Sequence, residues 1–337
     1  MTATAFLAMG LSHVDPDLLE QITDEVATVE VELLQQVRSQ VTLVEKVGRH
    51  TLEAGGKRLR PAFVTLSARA TGLEFSIDRT RKLGACMEMI HMATLIHDDV
   101  IDNATTRRGR TTASAEFGNT AAILSGDVLL SKAMVMLSRD GDLEVIRAIS
   151  EAAVEIAEGE VRELATRGQF DLDEDTHLEV LRLKTASFIE CCLEVGAIVA
   201  GAPMEIQHAL RDFGFHVGMA FQIVDDILDY RGDQAKTGKL IATDFREGQA
   251  TLPLIYLRET LSEAESTMVR RKFGNGVNDD EIRMIADWMD IRGAFVRAEQ
   301  AARDHVAQAI LTLERLPETP ARVLLETVAN QGIRRQA

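Results

Sequence analysis

Residues 83–102 read Leu-Gly-Ala-Cys-Met-Glu-Met-Ile-His-Met-Ala-Thr-Leu-Ile-His-Asp-Asp-Val-Ile-Asp. Apolar side chains in this stretch recur at steps of three and four residues, as in Leu83, Met87 and Ile90, which is the period of an α-helix. The same period runs through residues 18–37, and no segment shows a convincing strand pattern. The sequence therefore predicts an all-α fold.

The rest of the chain supports this prediction, because only six prolines interrupt it and each stands where a helix could begin or a loop could run. No linker, internal repeat or shift in composition divides the chain, so we expect one all-α domain over residues 1–337. The expected helices are 16–39, 41–54, 61–71, 77–103, 119–138, 143–167, 173–200, 204–231, 250–263, 278–315 with a break near Asp290, and 319–331.

The composition narrows the class of protein. The 337 residues include 37 basic and 53 acidic side chains, a net charge of −16, so binding of nucleic acid through a broad basic face is not expected. Three cysteines without metal-type spacing favour a reducing compartment, and we predict a cytoplasmic protein. We expect no apolar stretch long enough to cross a membrane, although contact with a membrane surface stays open.

Two clusters of aspartates follow apolar helical stretches. Asp98, Asp99 and Asp102 end the first helix, and Asp225, Asp226 and Asp229 repeat the spacing in Phe-Gln-Ile-Val-Asp-Asp-Ile-Leu-Asp. Like charges one helical turn apart repel each other, so a divalent cation is expected to compensate them. Mg²⁺ takes few carboxylates and completes its octahedron with water and phosphate oxygens. Two such clusters facing one cleft therefore predict a site for a polyphosphate.

Basic residues flank the first cluster in sequence. Residues 55–61, Gly-Gly-Lys-Arg-Leu-Arg-Pro, place three cations at a glycine turn before a helix, and Arg107, Arg108 and Arg110 follow the first aspartates. Guanidinium groups bind phosphate oxygens in pairs, and glycines allow close approach. Lys184 and Lys239 are weaker candidates for the same role. The positive charge is thus local, although the total charge is negative.

In this order the motifs resemble those of the trans-type polyprenyl diphosphate synthases. The match runs from about Gly55 to Pro253 and includes the glycine turn, both aspartate clusters, Arg-Arg-Gly-Arg, Lys-Thr, and Gly-Lys followed by Asp-Phe-Arg-Glu-Gly-Gln-Ala-Thr-Leu-Pro. The resemblance implies an orthogonal helical bundle around a deep central cleft, a homodimer, and three Mg²⁺ ions per active site. It departs from the family where Leu240 and Ala242 replace the more common proline and glycine.

The resemblance also assigns roles. It implies that isopentenyl diphosphate is condensed with an allylic diphosphate, and that Asp98, Asp102 and Asp225 are Mg²⁺ ligands. Asp99, Asp226 and Asp229 would act directly or through water. Isopentenyl diphosphate would be held by Lys57, Arg60, His91 and Arg108. The allylic diphosphate would be held by Arg107, Lys184, Gln222 and Lys239, with Thr185 lining that site. Catalysis would thus fall to the six aspartates with Arg107, Lys184 and Lys239.

Product length is expected to depend on the helix before Asp98. In the family a bulky aromatic side chain about one turn upstream blocks the growing product, whereas this chain has Ala93 and Thr94 there. No Phe, Tyr or Trp occurs between Leu83 and Asp102. We therefore predict a long product, of the kind used for quinone side chains. We expect release of this long, apolar product to involve peripheral contact with a membrane.

Several alternatives remain open from the sequence. A shorter-chain geranylgeranyl or farnesyl diphosphate synthase would share every motif, and a non-catalytic subunit of a heteromeric synthase would tend to lose aspartates that are all present here. A terpene cyclase would carry a different second metal motif. Glu88-x-x-His91 and Glu205-x-x-His208 also match the ligand pairs of a di-iron helical bundle.

Overall fold

A computed structural model describes residues 15–232 and 241–333, and nearly all of its regular structure is helical. The helices are α1 (Pro16–Gln36), α2 (Thr42–Glu53), α3 (Leu59–Ala70), α4 (Ile77–Ile101), α5 (Ala113–Phe117), α6 (Asn119–Asp140), α7 (Leu143–Thr166), α8 (Glu174–Leu181), α9 (Ser187–Val199), α10 (Met204–Arg231), α11 (Thr243–Glu247), α12 (Leu252–Arg258), α13 (Glu263–Lys272), α14 (Asp279–Ile291), α15 (Ala294–Leu313) and α16 (Pro320–Gly332). A π-helical turn, Arg182–Ala186, joins α8 to α9. The all-α prediction is confirmed.

Most expected helices are present with ends shifted by a few residues, and the expected break near Asp290 falls at Arg292 and Gly293. The sequence missed the short helices α5, α11 and α13, as well as the π-helical turn inside the expected helix 173–200. It also missed a small antiparallel hairpin, β1 (Thr106–Arg107) and β2 (Arg110–Thr111). Strands of two residues are too short to show alternation, so the prediction of no strand was wrong for a physical reason.

The contacts within the chain define two compact units, and the described part of the first consists of residues 15–151, 191–211 and 315–325. In this unit α4 packs against α1, α3 and α6. Its core contains Phe63, Leu66, Met87 and Ile90, none more than 1% exposed. Gly196 of α9 meets the backbone of α3 so closely that a Cβ there would overlap with Val64. The aspartates of residues 98–102 thus end a helix that is buried along most of its length.

The described part of the second unit consists of residues 152–190, 212–232, 241–314 and 326–333. Here α12, α14 and α15 pack on one another around a core that includes Phe245, Leu254 and Phe295. A Cβ at Gly218 of α10 would lie 2.6 Å from the Cα of Ala186, so α10 touches the π-helical turn through backbone atoms. This contact fixes the turn that carries Lys184. The expectation of a single domain stays a prediction.

Helix α6 has an unusual apolar surface. Its length, and the mean hydropathy of 1.5 in its most apolar segment, are those of a membrane-spanning helix. Only 39% of that segment is buried. This criterion uses length and composition only, and Asp127 and Lys132 interrupt the apolar run, so the expectation of no membrane-spanning stretch stays a prediction. One side of α6 packs against α4, while Ile123, Leu124 and Val135 are exposed.

Candidate active site

The glycine turn before α3 is held in place by one of its own cations. Arg58 adopts the left-handed backbone conformation, with φ of 50°, and its side chain is buried. Its guanidinium donates to Glu88 at 2.8 Å, to Glu30 at 3.2 Å and to the carbonyl of Leu52 at 2.9 Å. Arg58 therefore anchors the turn, and Lys57 beside it is exposed.

The same contact decides against the di-iron alternative. Glu88, the first residue of the Glu88-x-x-His91 pair, is bound to Arg58, so a cation already compensates its charge. In the second pair both Glu205 and His208 are exposed on α10. Di-iron ligands must project together into the interior of a bundle, and the exposed Glu205 and His208 do not.

The hairpin β1–β2 brings further cations to the glycine turn. Its two-residue turn is formed by Arg108 and Gly109, which both have positive φ, the combination of a type I′ turn. The guanidinium of Arg108 donates to the carbonyl of Gly55. A Cβ on Gly56 would come within 2.7 Å of that guanidinium, so the glycine leaves room for it. The hairpin thus places Arg108 over the glycine turn.

His91 lies among these cations. Burial lowers its pKa well below the usual value, and the positive charges of Arg60, Arg108, Arg107 and Arg58 lower it further. The charges of these four guanidinium groups therefore act on the buried His91. Burial also lowers the pKa of Arg60 and of Arg108, and the charges of Arg107, Arg58 and Arg60 lower that of Arg108 further, while Glu88 opposes both shifts. An anion bound here would offset the unfavourable burial of these positive charges.

The first aspartate cluster adjoins this group. Arg107 Nε donates to Asp99 Oδ1 at 2.7 Å, and Asp99 is buried. Burial raises the pKa of Asp99, with Arg107 acting in the opposite direction. Asp98 is half-buried and Asp102 is exposed at the end of α4. The structure thus brings together one aspartate and one arginine that the sequence placed in the site, and it leaves Asp98 and Asp102 accessible to a cation.

The residues expected to control product length lie on α4 before these aspartates. Ala93 is 2% exposed, and Thr94 is half-buried with its hydroxyl donating to the carbonyl of His91 at 2.9 Å. His97 points instead at α6, where Nε2 lies 3.2 Å from the carbonyl of Ile123. A Cβ at Gly126 would overlap with the His97 ring, so α6 approaches α4 closely here.

The second aspartate cluster lies on α10, and its three members differ in their surroundings. Asp225 is exposed, whereas Asp226 is buried and its Oδ2 lies 2.8 Å from His177 Nε2. The carboxylate of Asp229 accepts hydrogen bonds from the backbone amides of Thr243 and Asp244, both at 3.1 Å. Asp229 therefore holds the start of α11 in addition to its expected role.

The backbone carbonyl of Asp229 also accepts a hydrogen bond from Ala242, a residue that departs from the family pattern. The backbone amide of Ala242 donates to the carbonyl of Asp229 at 2.7 Å, and Ala242 has φ of 55°. This left-handed conformation suits glycine better than alanine, because the Cβ of alanine crowds the carbonyl. The glycine common in the family at this position therefore has a backbone reason, and alanine adopts the same conformation here.

Acidic residues crowd around the second cluster. The pKa of Asp244 is raised well above its usual value by burial, and then by the charges of Asp229, Asp226, Glu163 and Glu247. Such a concentration of acidic side chains fits a hard divalent cation with oxygen ligands. In the described ranges 15–232 and 241–333, no three His, Cys, Asp or Glu side chains enclose an ion by themselves. The carboxylate oxygens of this cluster suit Mg²⁺, which takes only part of its coordination from protein.

Lys184 lies in the π-helical turn and is already paired. Its Nζ lies 2.9 Å from Glu160 and 2.6 Å from Glu163, both on α7. Burial lowers the pKa of Lys184, but the two glutamates more than offset this and raise it overall. Gly159 allows the close approach, because a Cβ there would lie 2.7 Å from the backbone nitrogen of Lys184. π-Helical turns are rare and often occur at functional sites.

Two further expected residues are half-buried, Thr185 in the same turn and Gln222 on α10 one turn before the aspartates. Lys239 lies outside the described residues. The sequence did not point to His177, Glu160, Glu163 or Asp244 as parts of the site. The spacing of Glu160 and Glu163 does place them on one helical face. Asp244 lies in the Asp-Phe-Arg-Glu-Gly segment. Only the tertiary structure shows what each of them contacts.

Comparison with known proteins agrees with this geometry. Residues 41–289 match the family model of polyprenyl synthetase. The octaprenyl diphosphate synthase of Escherichia coli K12 is 36% identical over 316 residues, which cover 94% of this chain and 97% of that protein.

Two solved structures are also similar. The decaprenyl diphosphate synthase of Rhodobacter capsulatus has a TM-score of 0.88 at 34% identity, covering 94% of this chain and 98% of its own. A polyprenyl synthase of Caulobacter crescentus CB15, solved with calcium and isoprenyl diphosphate, has a TM-score of 0.89 at 32% identity, covering 96% and 99%.

Proposed function

The chain belongs to the polyprenyl synthetase family and is a trans-polyprenyl diphosphate synthase, and we propose from this how its residues carry out the reaction. The enzyme joins isopentenyl diphosphate to an allylic diphosphate, head to tail, with loss of diphosphate. The relatives named for octaprenyl and decaprenyl products support a long-chain product. A quinone side-chain precursor is the corresponding proposal for its use.

We assign Mg²⁺ binding for the allylic diphosphate to the residues of each aspartate cluster. Asp98, Asp102 and Asp225 would hold Mg²⁺, three ions per active site in this proposal, with Asp99, Asp226 and Asp229 acting directly or through water. When bound, Mg²⁺ neutralises the negative charge that develops on the leaving diphosphate. Arg107 and Lys184 would donate to diphosphate oxygens, with Thr185 and Gln222 assigned to the allylic substrate. Fixed charges of this kind usually account for the largest share of such catalysis.

Isopentenyl diphosphate is assigned to Lys57, Arg60, His91 and Arg108. The observation that carries the proposal is the buried position of His91 near several guanidinium groups: burial first, and then their charges, lower its pKa and leave the imidazole uncharged at neutral pH. A neutral imidazole donates one hydrogen bond without adding to the crowded positive charge. Holding this diphosphate directs the double bond at the allylic carbon and makes the attack effectively unimolecular. The released diphosphate takes the final proton.

Two features support a homodimer and a cytoplasmic location. The exposed apolar side of α6, with Ile123, Leu124 and Val135, is the kind of surface that a second copy of the chain covers. Cys86, Cys191 and Cys192 are buried thiols, as a reducing compartment allows. We therefore propose a cytoplasmic homodimer, with contact to a membrane surface when the long product leaves.

The test is incubation of the purified protein with labelled isopentenyl diphosphate, MgCl₂ and allylic primers of several lengths, followed by sizing of the products. We expect Mg²⁺-dependent formation of a long all-trans product. Products that stop at farnesyl or geranylgeranyl length would contradict the long-chain assignment. Absence of any product from the protein alone would instead favour a heteromeric enzyme.

A further inference from the structure

His177 makes a buried contact with the second aspartate cluster. Its Nε2 lies 2.8 Å from Asp226 Oδ2, and the two residues are 5% and 6% exposed. The partners are 49 residues apart in sequence and lie on α8 and α10 of the same unit. A hydrogen bond at this distance requires that Nε2 carry the hydrogen, since a carboxylate oxygen accepts.

The capped start of α8 fixes the backbone of His177. Asp173 caps α8, because its side chain accepts from the amide of Thr176 at 2.8 Å, and its carbonyl accepts from the amide of His177 at 3.2 Å. His177 thus belongs to the first turn of a capped helix. A side chain fixed in this way can in turn fix its partner.

Asp226 needs such a partner. It is one residue beyond Asp225 on α10 and therefore points about 100° away from it around the helix. It is buried and close enough to Asp244 to raise the pKa of that carboxyl. Repulsion among these acids favours rotamers that turn Asp226 away from its neighbours. The bond to His177 engages one carboxylate oxygen and so selects one orientation.

We propose that His177 is a positioning residue that sets the orientation of the Asp226 carboxylate, and through it the affinity of the second aspartate cluster for a divalent cation with diphosphate. The inference rests on the proposed function, because it requires that Asp226 take part in binding a divalent cation with diphosphate. Hydrogen bonds to ligating groups from residues behind them typically change metal affinity 10- to 100-fold. In this proposal His177 acts only through Asp226.

A matched pair of amide substitutions tests this. The nitrogen of glutamine in His177→Gln can reach the place of Nε2, whereas the shorter asparagine in His177→Asn cannot. We would measure Mn²⁺ binding by electron paramagnetic resonance in the presence of inorganic diphosphate, a readout that needs no turnover. His177→Asn should bind Mn²⁺ about 10-fold more weakly than the unaltered enzyme, and His177→Gln within about 3-fold of it. The exposed His208→Asn is the control and should bind normally.

A double-mutant cycle separates positioning from a structural role. In an Asp226→Asn background, His177→Asn should weaken Mn²⁺ binding no further, because the oriented carboxylate is already gone. Circular dichroism would establish that each variant is folded. If His177→Asn does not fold, His177→Phe takes its place in the comparison. Normal Mn²⁺ binding by folded His177→Asn, or equal losses in the asparagine and glutamine variants, would overturn the proposal. Tight Mn²⁺ binding by an unaltered protein that forms no prenyl product would contradict the proposed function alone.

Discussion

Arg58 Nη1 donates to Glu88 Oε1 at 2.8 Å, and the two side chains are 4% and 5% exposed. This buried ion pair ties the glycine turn before α3 to the helix that ends in the first aspartate cluster. Two neighbouring cations of one sequence motif thus have different tasks. Arg58 supports the turn, while Arg60 lies beside His91, where we propose that it binds diphosphate.

The first prediction follows from that pair. Glu88→Ala leaves a buried guanidinium without its main counter-charge, so we expect it to lower the free energy of unfolding by about 3–5 kcal/mol. Urea denaturation followed by circular dichroism would measure the loss. Lys82→Ala removes one partner of an exposed pair with Asp78 and should cost about 1 kcal/mol or less. Equal losses in the two variants would contradict the structural role of Arg58.

The second prediction concerns Gly159. An alanine Cβ there would lie 2.7 Å from the backbone nitrogen of Lys184, so the π-helical turn must shift in Gly159→Ala. Because a displacement of about 1 Å can cost 10²-fold in rate, we expect kcat to fall about 10- to 100-fold. Steady-state kinetics would show this, with the exposed Glu158→Ala as the control. An unchanged kcat in folded Gly159→Ala would argue against a catalytic Lys184.

Much of the fold could be predicted because its helices are long. Helices such as α4 and α10 span six or more turns, enough for the apolar period to stand out. The hairpin at Arg107–Arg110 and the helix α11 are too short to show any period. The π-helical turn at Lys184 is invisible for another reason, since apolar residues continue on both sides of it and the helix appears unbroken.

The site could be predicted only in part. The six aspartates stand out because repeated like charges follow apolar helices, and this requires no tertiary information. The different tasks of Arg58 and Arg60 depend on a left-handed backbone at Arg58 and on Glu88, which lies 30 residues away. His177 is likewise distant in sequence from Asp226. Pairings of this kind arise from packing, which local spacing does not encode.

The third prediction tests the two clusters. Asp98→Ala and Asp225→Ala should each lower kcat about 10³-fold, because each removes a ligand whose cation supplies several kcal/mol of charge stabilisation. Asp98 is half-buried and Asp225 is exposed, so neither change leaves a large cavity and the fold should remain intact. Circular dichroism and product formation would be measured together, with the exposed Asp280→Ala as the control. Near-normal turnover in either variant would rule out its assigned role.

The fourth prediction concerns stability in acid. His216 Nδ1 lies 2.9 Å from His305 Nδ1, and burial lowers the pKa of both, that of His305 to about 4. Asp212 and Asp304 oppose the shift only in part. Below pH 6.5 the unfolded chain takes up these protons before the folded protein does. Stability should therefore fall as the pH drops from about 6.5 towards 4, by at most about 1.4 kcal/mol per pH unit for each histidine.

Urea denaturation at several pH values would show this slope. In His305→Asn it should be shallower than in the unaltered protein, because one of the two histidines no longer titrates. The exposed His208→Asn should leave the slope unchanged. A His305→Asn variant with the full slope would show that the pair does not contribute.

The last prediction concerns product length. Ala93 is 2% exposed on α4, five residues before Asp98, and a phenylalanine there would fill space beside the path proposed for the growing chain. Ala93→Phe should therefore shift the products to shorter chains, although forcing a ring into a packed core also costs about 1–3 kcal/mol. Ala309→Phe makes the same change at a buried position of α15, in the other unit, and should lower stability without shortening the product. Size analysis of products from both variants at equal conversion separates the two effects, because a loss of folded enzyme reduces the amount of product but not its length. An unchanged distribution in Ala93→Phe would show that the product does not pass Ala93.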